Sequence, residues 1–276
     1  MKLATYDNNR TGIVVGDSII DTGLDLPLMA IIADWDNLRS GLEARVAAGG
    51  GKPLAEVQLR APIARPGKIF AIGLNYADHI AESKMETPTK QIWFSKAQTS
   101  VNGPYDPILI ARHGPYVDYE AELVAVIGRT ARNVTPEQAA DHIFGYCVGN
   151  DVTERFWQHS TPQWTLGKSF DTHAPIGPWI TTADEVGDPH ALDILCTVNG
   201  EQRQHSNTRH LVFNIWDQIA HLSQAMTLEP GDLIFTGTPG GIGAAMDPRV
   251  FLKPGDTVAV EIEKLGRIAG TMVAEG

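Results

Sequence analysis

Three stretches of this chain share one grammar, and it constrains the fold more than any other feature. Each places Pro-Gly directly before a β-branched, apolar run: RPGKIFAIG (65–73), EPGDLIFTG (229–237) and KPGDTVAVEIE (253–263). Proline presets the second position of a turn, and glycine accepts the left-handed third position of a type II turn, so each pair should deliver a strand. Three such deliveries predict a sheet-dominated larger unit spanning residues 63–276. Residues 1–62 read as a small N-terminal unit, with short alternating runs (GIVVG, SIIDTG) and a helical stretch from Leu28 to Ala48 that stops at Gly49, Gly50 and Gly51. Within the larger unit, Thr135, Pro136 and Gln138 form a capping-box start for a helix reaching Phe144. Leu211, Ile215, Ile219, Leu222 and Met226 fall on one face of a second helix. Both stripes read as packing surfaces, and the fold class expected is α+β, rich in β.

Composition excludes several partners. With 43% apolar and 20% charged residues in 276, the chain can bury a core and is not of the disordered type. A formal charge of -11 repels phosphate backbones and anionic lipid, so neither nucleic acid nor a membrane surface is an expected partner, and an acidic substrate would need a local cation. Cys147 and Cys196 stand alone without CxxC spacing, which suggests neither a disulfide framework nor a thiolate zinc site. The opening MKLATYDNNR lacks a signal-like apolar stretch and no later run has the length of a membrane span, so a cytoplasmic location is expected.

The chemistry concentrates in a few segments. VDYEAELVAVIG (117–128) reads as a strand whose second half is apolar on both faces and therefore central. Alternation puts Glu120 and Glu122 on one face, about 7 Å apart along the strand. Two buried like charges call for a cation, a shared proton or basic partners, whereas a strand end open to water would simply solvate them. GYCVGNDVTER (145–155) is a second buried run, with Asp151 where the strand exits, a position that also suits a turn cap. Three carboxylates without converging Cys or His would make an all-oxygen site, which selects magnesium or manganese over zinc. Lys168, in LGKSFD, could hold a carboxylate or a developing enolate, or be a surface lysine. The loop TGTPGGIG (236–243) could aim backbone N–H groups and the Thr238 hydroxyl at an anion, or be a plain turn; it fits no nucleotide motif. In LNYADHIAE (74–82), His79 and Glu82 are three apart, neighbours on a helix and able to form a general-base pair, although a surface His and Glu read the same way. The polar SKMETPTKQ (83–91) that follows has the composition of a lid. No GxSxG or HExxH motif is present.

Taken in order, IGLNYADH, DYEAELVAVIG, GYCVGNDVTER, GKSFDTHAPIGPW, VNGEQRQ and LEPGDLIFTGTPGGIG resemble the fumarylacetoacetate hydrolase family over its larger domain, from about Lys68 to the C-terminus. The resemblance implies a mixed β-sheet roll as the catalytic domain, with a small N-terminal domain, usually in a homodimer. It implies Mg(2+) or Mn(2+) at Glu120, Glu122 and Asp151, and a water-activating dyad of His79 and Glu82 on a lid. An oxo acid would be bound by Lys168 and Thr238, with Arg155 and Tyr76 in the same substrate site and Lys168 also stabilising the enolate. The implied reaction is metal-dependent hydrolysis of a carbon–carbon bond in a small 2,4-dioxo acid of the acylpyruvate kind, releasing pyruvate or a similar 2-oxo acid. Decarboxylation or isomerisation of a related acid through the same enolate is the alternative, and a family member that binds an oxo acid as a sensor or is inactive is another. One departure stands out: Arg155 is followed by Phe156 where the family commonly has an acid, and FWQHSTPQW (156–164) is rich in aromatics. That predicts a substrate whose distal end is larger or less charged than a dicarboxylate.

Overall fold

The computed structural model describes residues 1–83 and 86–276. In chain order the strands that matter here are β1 (Lys2–Tyr6), β2 (Arg10–Val15), β3 (Ser18–Asp21), β4 (Ile69–Gly73), β5 (Ile92–Ser95), β6 (Ala121–Ile127), β7 (Ile143–Asn150) and β8 (Ala174–Thr182). Then come β9 (Asp193–Val198), β10 (Glu201–Asn207), β11 (Leu233–Phe235), β12 (Thr257–Ile262) and β13 (Gly266–Ala274). A twelve-stranded sheet runs β3-β2-β1-β8-β7-β6-β11-β4-β5 with short strands at its margins. All neighbours on that path are antiparallel except β11 and β4, which run parallel. The N-terminal strands continue this sheet edge to edge, with Lys2 opposite Thr181 and Leu3 opposite Ile180. The second sheet runs β10-β9-β12-β13 and ends on Ile108–Ile110. The mixed, strand-rich architecture is therefore as expected.

The two-sided apolar character of β6 follows from its place. Leu123, Ala125 and Ile127 face the second sheet through Ile194, Val258 and Val260. Val124 and Val126 face a different core, shared with Phe235, Ile176 and the N-terminal helices α1 (Leu28–Ala33) and α2 (Trp35–Ala48). A strand covered on both faces has no polar side to present, and each fully buried Leu or Ile contributes roughly 1.5–3 kcal/mol. Three further helices position functional residues: α3 (Ala77–Ser83), α4 (Arg155–His159) and α5 (Thr165–Lys168). A fourth, α6 (Ile215–Ala225), packs Ile215, Ile219 and Leu222 into the core. Among the described residues no helix is long and apolar enough to cross a membrane.

Several boundaries differ from those read in the sequence. The 28–48 stretch breaks at Asp34 into two helices. The capping box forms, with Gln138 Oε1 accepting the Thr135 N–H at 3.0 Å, but the α-helix covers only Pro136–Ala139 before the chain tightens and enters β7 at Ile143. The last long helix starts at Ile215 instead of Leu211, because the Asn214 side chain caps it by accepting from Asp217 N–H. Of the lid expected over 83–91, residues 84 and 85 lie outside the described residues.

All three Pro-Gly turns feed strands, but not by one mechanism. Gly231 and Gly255 take φ of 88° and 93°, and each turn closes with a 3.0 Å backbone hydrogen bond, from Asp232 to Glu229 and from Asp256 to Lys253. Gly67 is not left-handed. A Cβ there would lie 2.8 Å from Asp232 Oδ1, the atom that accepts the Lys68 N–H at 2.8 Å. Asp232 Oδ2 also accepts the Glu229 N–H at 2.7 Å, so this one buried carboxylate ties two turns together and holds β4 beside β11. Asp232→Ala leaves both N–H groups unpaired and should cost about 3 kcal/mol in guanidinium unfolding. A loss typical of a neutral surface substitution would show that Asp232 does not hold that pairing.

Candidate active site

The residues from Val117 to Gly128 do not form one continuous strand. Val117 and Asp118 pair with Thr153 and Glu154, the chain leaves strand geometry at Tyr119 and Glu120, and β6 begins at Ala121. The bend is held by Asn150 Oδ1, which accepts the Glu120 N–H at 3.0 Å, and by the Glu120 carbonyl, which accepts the Asp151 N–H at 2.9 Å. These bonds bring the exit of β7 against the entrance of β6. As a result, carboxylate oxygens of Glu120, Glu122 and Asp151 lie within 4.8 Å of one another, all three side chains buried.

Cations answer two of the three charges. Lys168 Nζ lies 2.7 Å from Glu120 Oε2 and 2.6 Å from Asp151 Oδ2. Lys96 Nζ lies 2.6 Å from Asp151 Oδ1. Arg155 places Nη1 2.7 Å from Glu120 Oε1, and its Nε and Nη2 donate to Asp118 Oδ2 at 2.9 and 2.7 Å. Burial alone would raise the Glu120 carboxyl, but Lys168 and Arg155 outweigh it and hold the group down at about 2. Lys168 is treated the same way: burial lowers it, and the charges of Asp151 and Glu120 more than restore it. Lys96 is held below its ordinary value, because burial outweighs its single carboxylate partner.

Glu122 is different. Its Oε2 accepts only the Gly237 N–H, at 2.7 Å, and no cation pairs with it among the described residues. Burial, then the charges of Asp151 and Glu120, push it well above 4.5. A buried, unpaired carboxylate beside two others is the feature a divalent cation would satisfy, and an all-oxygen set suits a hard ion. The acid cluster therefore fits a metal site.

The glycine loop does aim N–H groups at anions, but the anions are the protein's own carboxylates. Gly237 reaches Glu122, Gly241 reaches Glu82 at 2.9 Å, and Gly243 and Ala244 reach Asp118, each at 2.9 Å. Gly237 needs its φ of 107° for this, since a Cβ would strike Asn75 at 2.8 Å. Thr238 Oγ1 accepts from Gln204 Nε2 at 2.8 Å, which leaves its own proton free to donate. On α3, His79 is buried and, among the described residues, its Nδ1 has no hydrogen-bond partner; Glu82 Oε2 stands 3.8 Å away, too far for a hydrogen bond. Burial is the main reason the imidazole is held below 6.5, with the Arg155 charge adding to it.

These groups share one cavity of about 640 Å³, lined by Glu120, Glu122, Lys168, Thr238, His79 and Glu82 and by apolar walls that include Phe94 and Trp164. The Phe94 ring lies beneath Lys168, 4.8 Å from Nζ. Residues 68–273 match the model of the fumarylacetoacetate hydrolase C-terminal domain. The chain belongs to the fumarylacetoacetate hydrolase family. It is 47% identical over 221 residues to a mitochondrial oxaloacetate tautomerase of Xenopus laevis, covering 79% of this chain and 69% of that protein. A human mitochondrial oxaloacetate tautomerase is 45% identical over 223 residues, covering 80% and 71%. Among solved structures, maleylpyruvate hydrolase from Sphingobium sp. SYK-6, in complex with manganese(II) and pyruvate, superposes with a TM-score of 0.88 at 37% identity over all of both chains. A 5-carboxymethyl-2-hydroxymuconate delta-isomerase from Mycobacterium smegmatis gives 0.81 at 33%, again over both whole chains.

Within this family framework, the structure gathers Glu120, Glu122, Asp151, Lys168, Arg155, Thr238, His79 and Glu82 around one site. Tyr76 is placed otherwise: it is fully buried, off the cavity wall, with its hydroxyl unpartnered among the described residues and raised by burial and then by the nearby Glu122 charge. Arg155 finds its acid partner at Asp118, not in the residue that follows it. Sequence reasoning passed over Lys96, Asp118 and Gln204. Lys96 closes the apolar run IWFSK, and Asp118 sits two residues before Glu120 in the same acidic segment.

Because folding raises the Glu122 carboxyl, the metal-free folded state binds more protons than the unfolded one above pH 4.5 and loses stability as pH rises toward the folded value. Glu122→Gln should therefore raise the metal-free Tm at about pH 8 and weaken magnesium or manganese binding by at least about 100-fold. A metal-induced rise in Tm as large as that of the unsubstituted protein would take Glu122 out of the metal site.

Proposed function

We propose that this chain is a divalent-metal-dependent hydrolase that cleaves a carbon–carbon bond in a small 2,4-dioxo acid of the acylpyruvate kind. The observation that carries this reading is the buried acid cluster sharing one cavity with Lys168, Thr238 and an imidazole whose environment favours the neutral form. A related maleylpyruvate hydrolase solved with manganese(II) and pyruvate supports it. Mg(2+) or Mn(2+) held by Glu120, Glu122 and Asp151 would supply Lewis-acid polarisation of the 2-oxo group.

The chain's own residues account for the rest. Thr238, whose oxygen is occupied by Gln204, donates its proton to the substrate carboxylate. Lys168 stands at the head-group end as a fixed positive charge, where negative charge develops on the 2-oxo oxygen. His79, neutral because it is buried, takes a proton from water as that water adds to the C4 carbonyl. The C3–C4 bond then breaks, its electron pair passes into the enolate of the 2-oxo acid, and the distal fragment leaves as a carboxylic acid. The proton held on His79 returns to C3. Glu82 can steady the imidazolium after a closure of about 1 Å, which would shorten its present separation to hydrogen-bond length.

A second reading is supported by the 45–47% identity to oxaloacetate tautomerases. There His79 would move a proton between C3 and the enol oxygen of an oxo acid, with no water consumed. Incubating metal-supplemented enzyme with acylpyruvates and with oxaloacetate, and weighing the products, separates the two. Two smaller acids summing to substrate plus water support hydrolysis, whereas unchanged mass with faster enol-to-keto conversion supports tautomerisation. In either case His79→Ala should lower kcat by about 100-fold while leaving metal affinity nearly unchanged. The acid limb of kcat/KM should lie below pH 6.5, since burial holds His79 under its ordinary value. An unaltered kcat in the variant would remove His79 from the proton transfer.

A further inference from the structure

The stretch VNGEQRQ (198–204) contributes no residue to the cavity wall, yet it ends on a side chain that reaches the head-group site from behind. Asn199 and Gly200 take φ of 54° and 82°, the two-residue turn that joins β9 to β10 with the twist a hairpin needs. Cys196 lies opposite Gln204 and Thr197 opposite Gln202, so Arg203 is the extra residue of a β-bulge. In a regular strand Gln202 and Gln204 would share a face; across the bulge Gln202 is exposed and Gln204 is buried. The bulge also presses the strand onto the glycine loop, since a Cβ on Gly241, whose φ is 98°, would collide with the Arg203 carbonyl oxygen.

Once turned inward, the Gln204 carboxamide is used completely. Its Oε1 accepts the Ala121 N–H at 2.9 Å, and its Nε2 donates to Thr238 Oγ1 and to the Pro239 carbonyl, each at 2.8 Å. A flipped amide would set oxygen against the Pro239 carbonyl and N–H against the Ala121 N–H, so two backbone groups fix its orientation. Thr238 Oγ1 is therefore the acceptor in that contact, and its single proton is sent elsewhere. Among the described residues this proton has no protein acceptor, and Thr238 lines the cavity. We propose that Gln204 is a positioning residue: through its backbone-locked carboxamide it holds the Thr238 hydroxyl as a donor aimed at the substrate carboxylate. This rests on reading Thr238 and the acid cluster as the head-group site. Ser206, two residues along β10, donates to Asp78 Oδ2 at 2.6 Å, which fixes the same strand to α3 and keeps Gln204 in register with the loop.

The test titrates oxamate, an inert mimic of a 2-oxo acid head, into the magnesium-loaded protein by calorimetry, and measures manganese affinity separately on metal-free protein. Gln204→Met keeps the side chain's length and removes its donors. It should weaken oxamate by at least about fivefold, the worth of one neutral hydrogen bond, and change manganese affinity by less than about threefold. Thr238→Val should weaken oxamate by at least about tenfold. In the Thr238→Val background, Gln204→Met should add less than about twofold, because its effect passes through the hydroxyl already lost. Unaltered oxamate affinity in Gln204→Met, or losses that multiply in the double variant, overturns the assignment. A fall in manganese affinity as large as that for oxamate also overturns it, by placing the effect on the acid segment through Ala121. Gln204→Asn, one methylene too short to reach both sides, supplies the same cycle if the methionine variant does not fold. Oxamate that fails to bind the unsubstituted protein, or that binds Thr238→Val as tightly, overturns the head-group reading as well.

Discussion

Glu120, Glu122 and Asp151 would repel one another if they were held together, ionised and buried, with nothing between them, and the rest of the site is arranged around that repulsion. Their convergence is enforced by the backbone: the exit of β7 is bonded to the entrance of β6 through Asn150 and the Glu120 carbonyl, and both strands lie in the covered middle of the large sheet. Neither strand can relax without opening two cores. Lys168, Lys96 and Arg155 relieve most of the repulsion, and among the described residues one carboxyl, Glu122, is left without a cation. A site that retains one unsatisfied acid is destabilised when empty and stabilised by a divalent ion, which links metal binding to folding.

The glycine loop has a related role. Its N–H groups face Glu122, Glu82 and Asp118, so its contribution is to orient the protein's own carboxylates. Asp118 in turn orients Arg155 toward Glu120. Through Glu82 the same loop touches α3, the element that carries His79. Head-group binding, charge compensation and the base are thereby connected through one stretch of main chain.

Much of this was legible in the sequence, for identifiable reasons. Period-two alternation pointed to Glu120 and Glu122 sharing a face, although Glu120 lies on the bend just before β6, and a buried run ending at Asp151 placed the third acid at a strand exit. Pro-Gly turns marked the starts of β4, β11 and β12, though Gly67 works by leaving room for Asp232 and not by a left-handed φ. What escaped was whatever depends on pairing between distant segments. Lys96 and Asp151 are 55 residues apart and meet only through the sheet, and Gln204 reaches Thr238 from the second sheet. Tyr76 lies in a motif that carries a base, yet it is fully buried off the cavity wall, bridged to Leu211 just before α3 begins. Helix ends moved to the nearest capping residue, Asn214 in one case, which an apolar stripe does not report.

Relatives of this chain in the family carry names of hydrolases, isomerases and tautomerases. A shared head-group site with variable surroundings accounts for that range, since making an enolate is common to all three outcomes and the base, the water and the distal wall decide which follows. The most direct test of the central claim is anomalous diffraction from crystals soaked in manganese. A single strong peak is expected about 2.1 Å from carboxylate oxygens of Glu120, Glu122 and Asp151. A peak elsewhere, or none while Lys96 and Lys168 keep their ion pairs undisturbed, would contradict it.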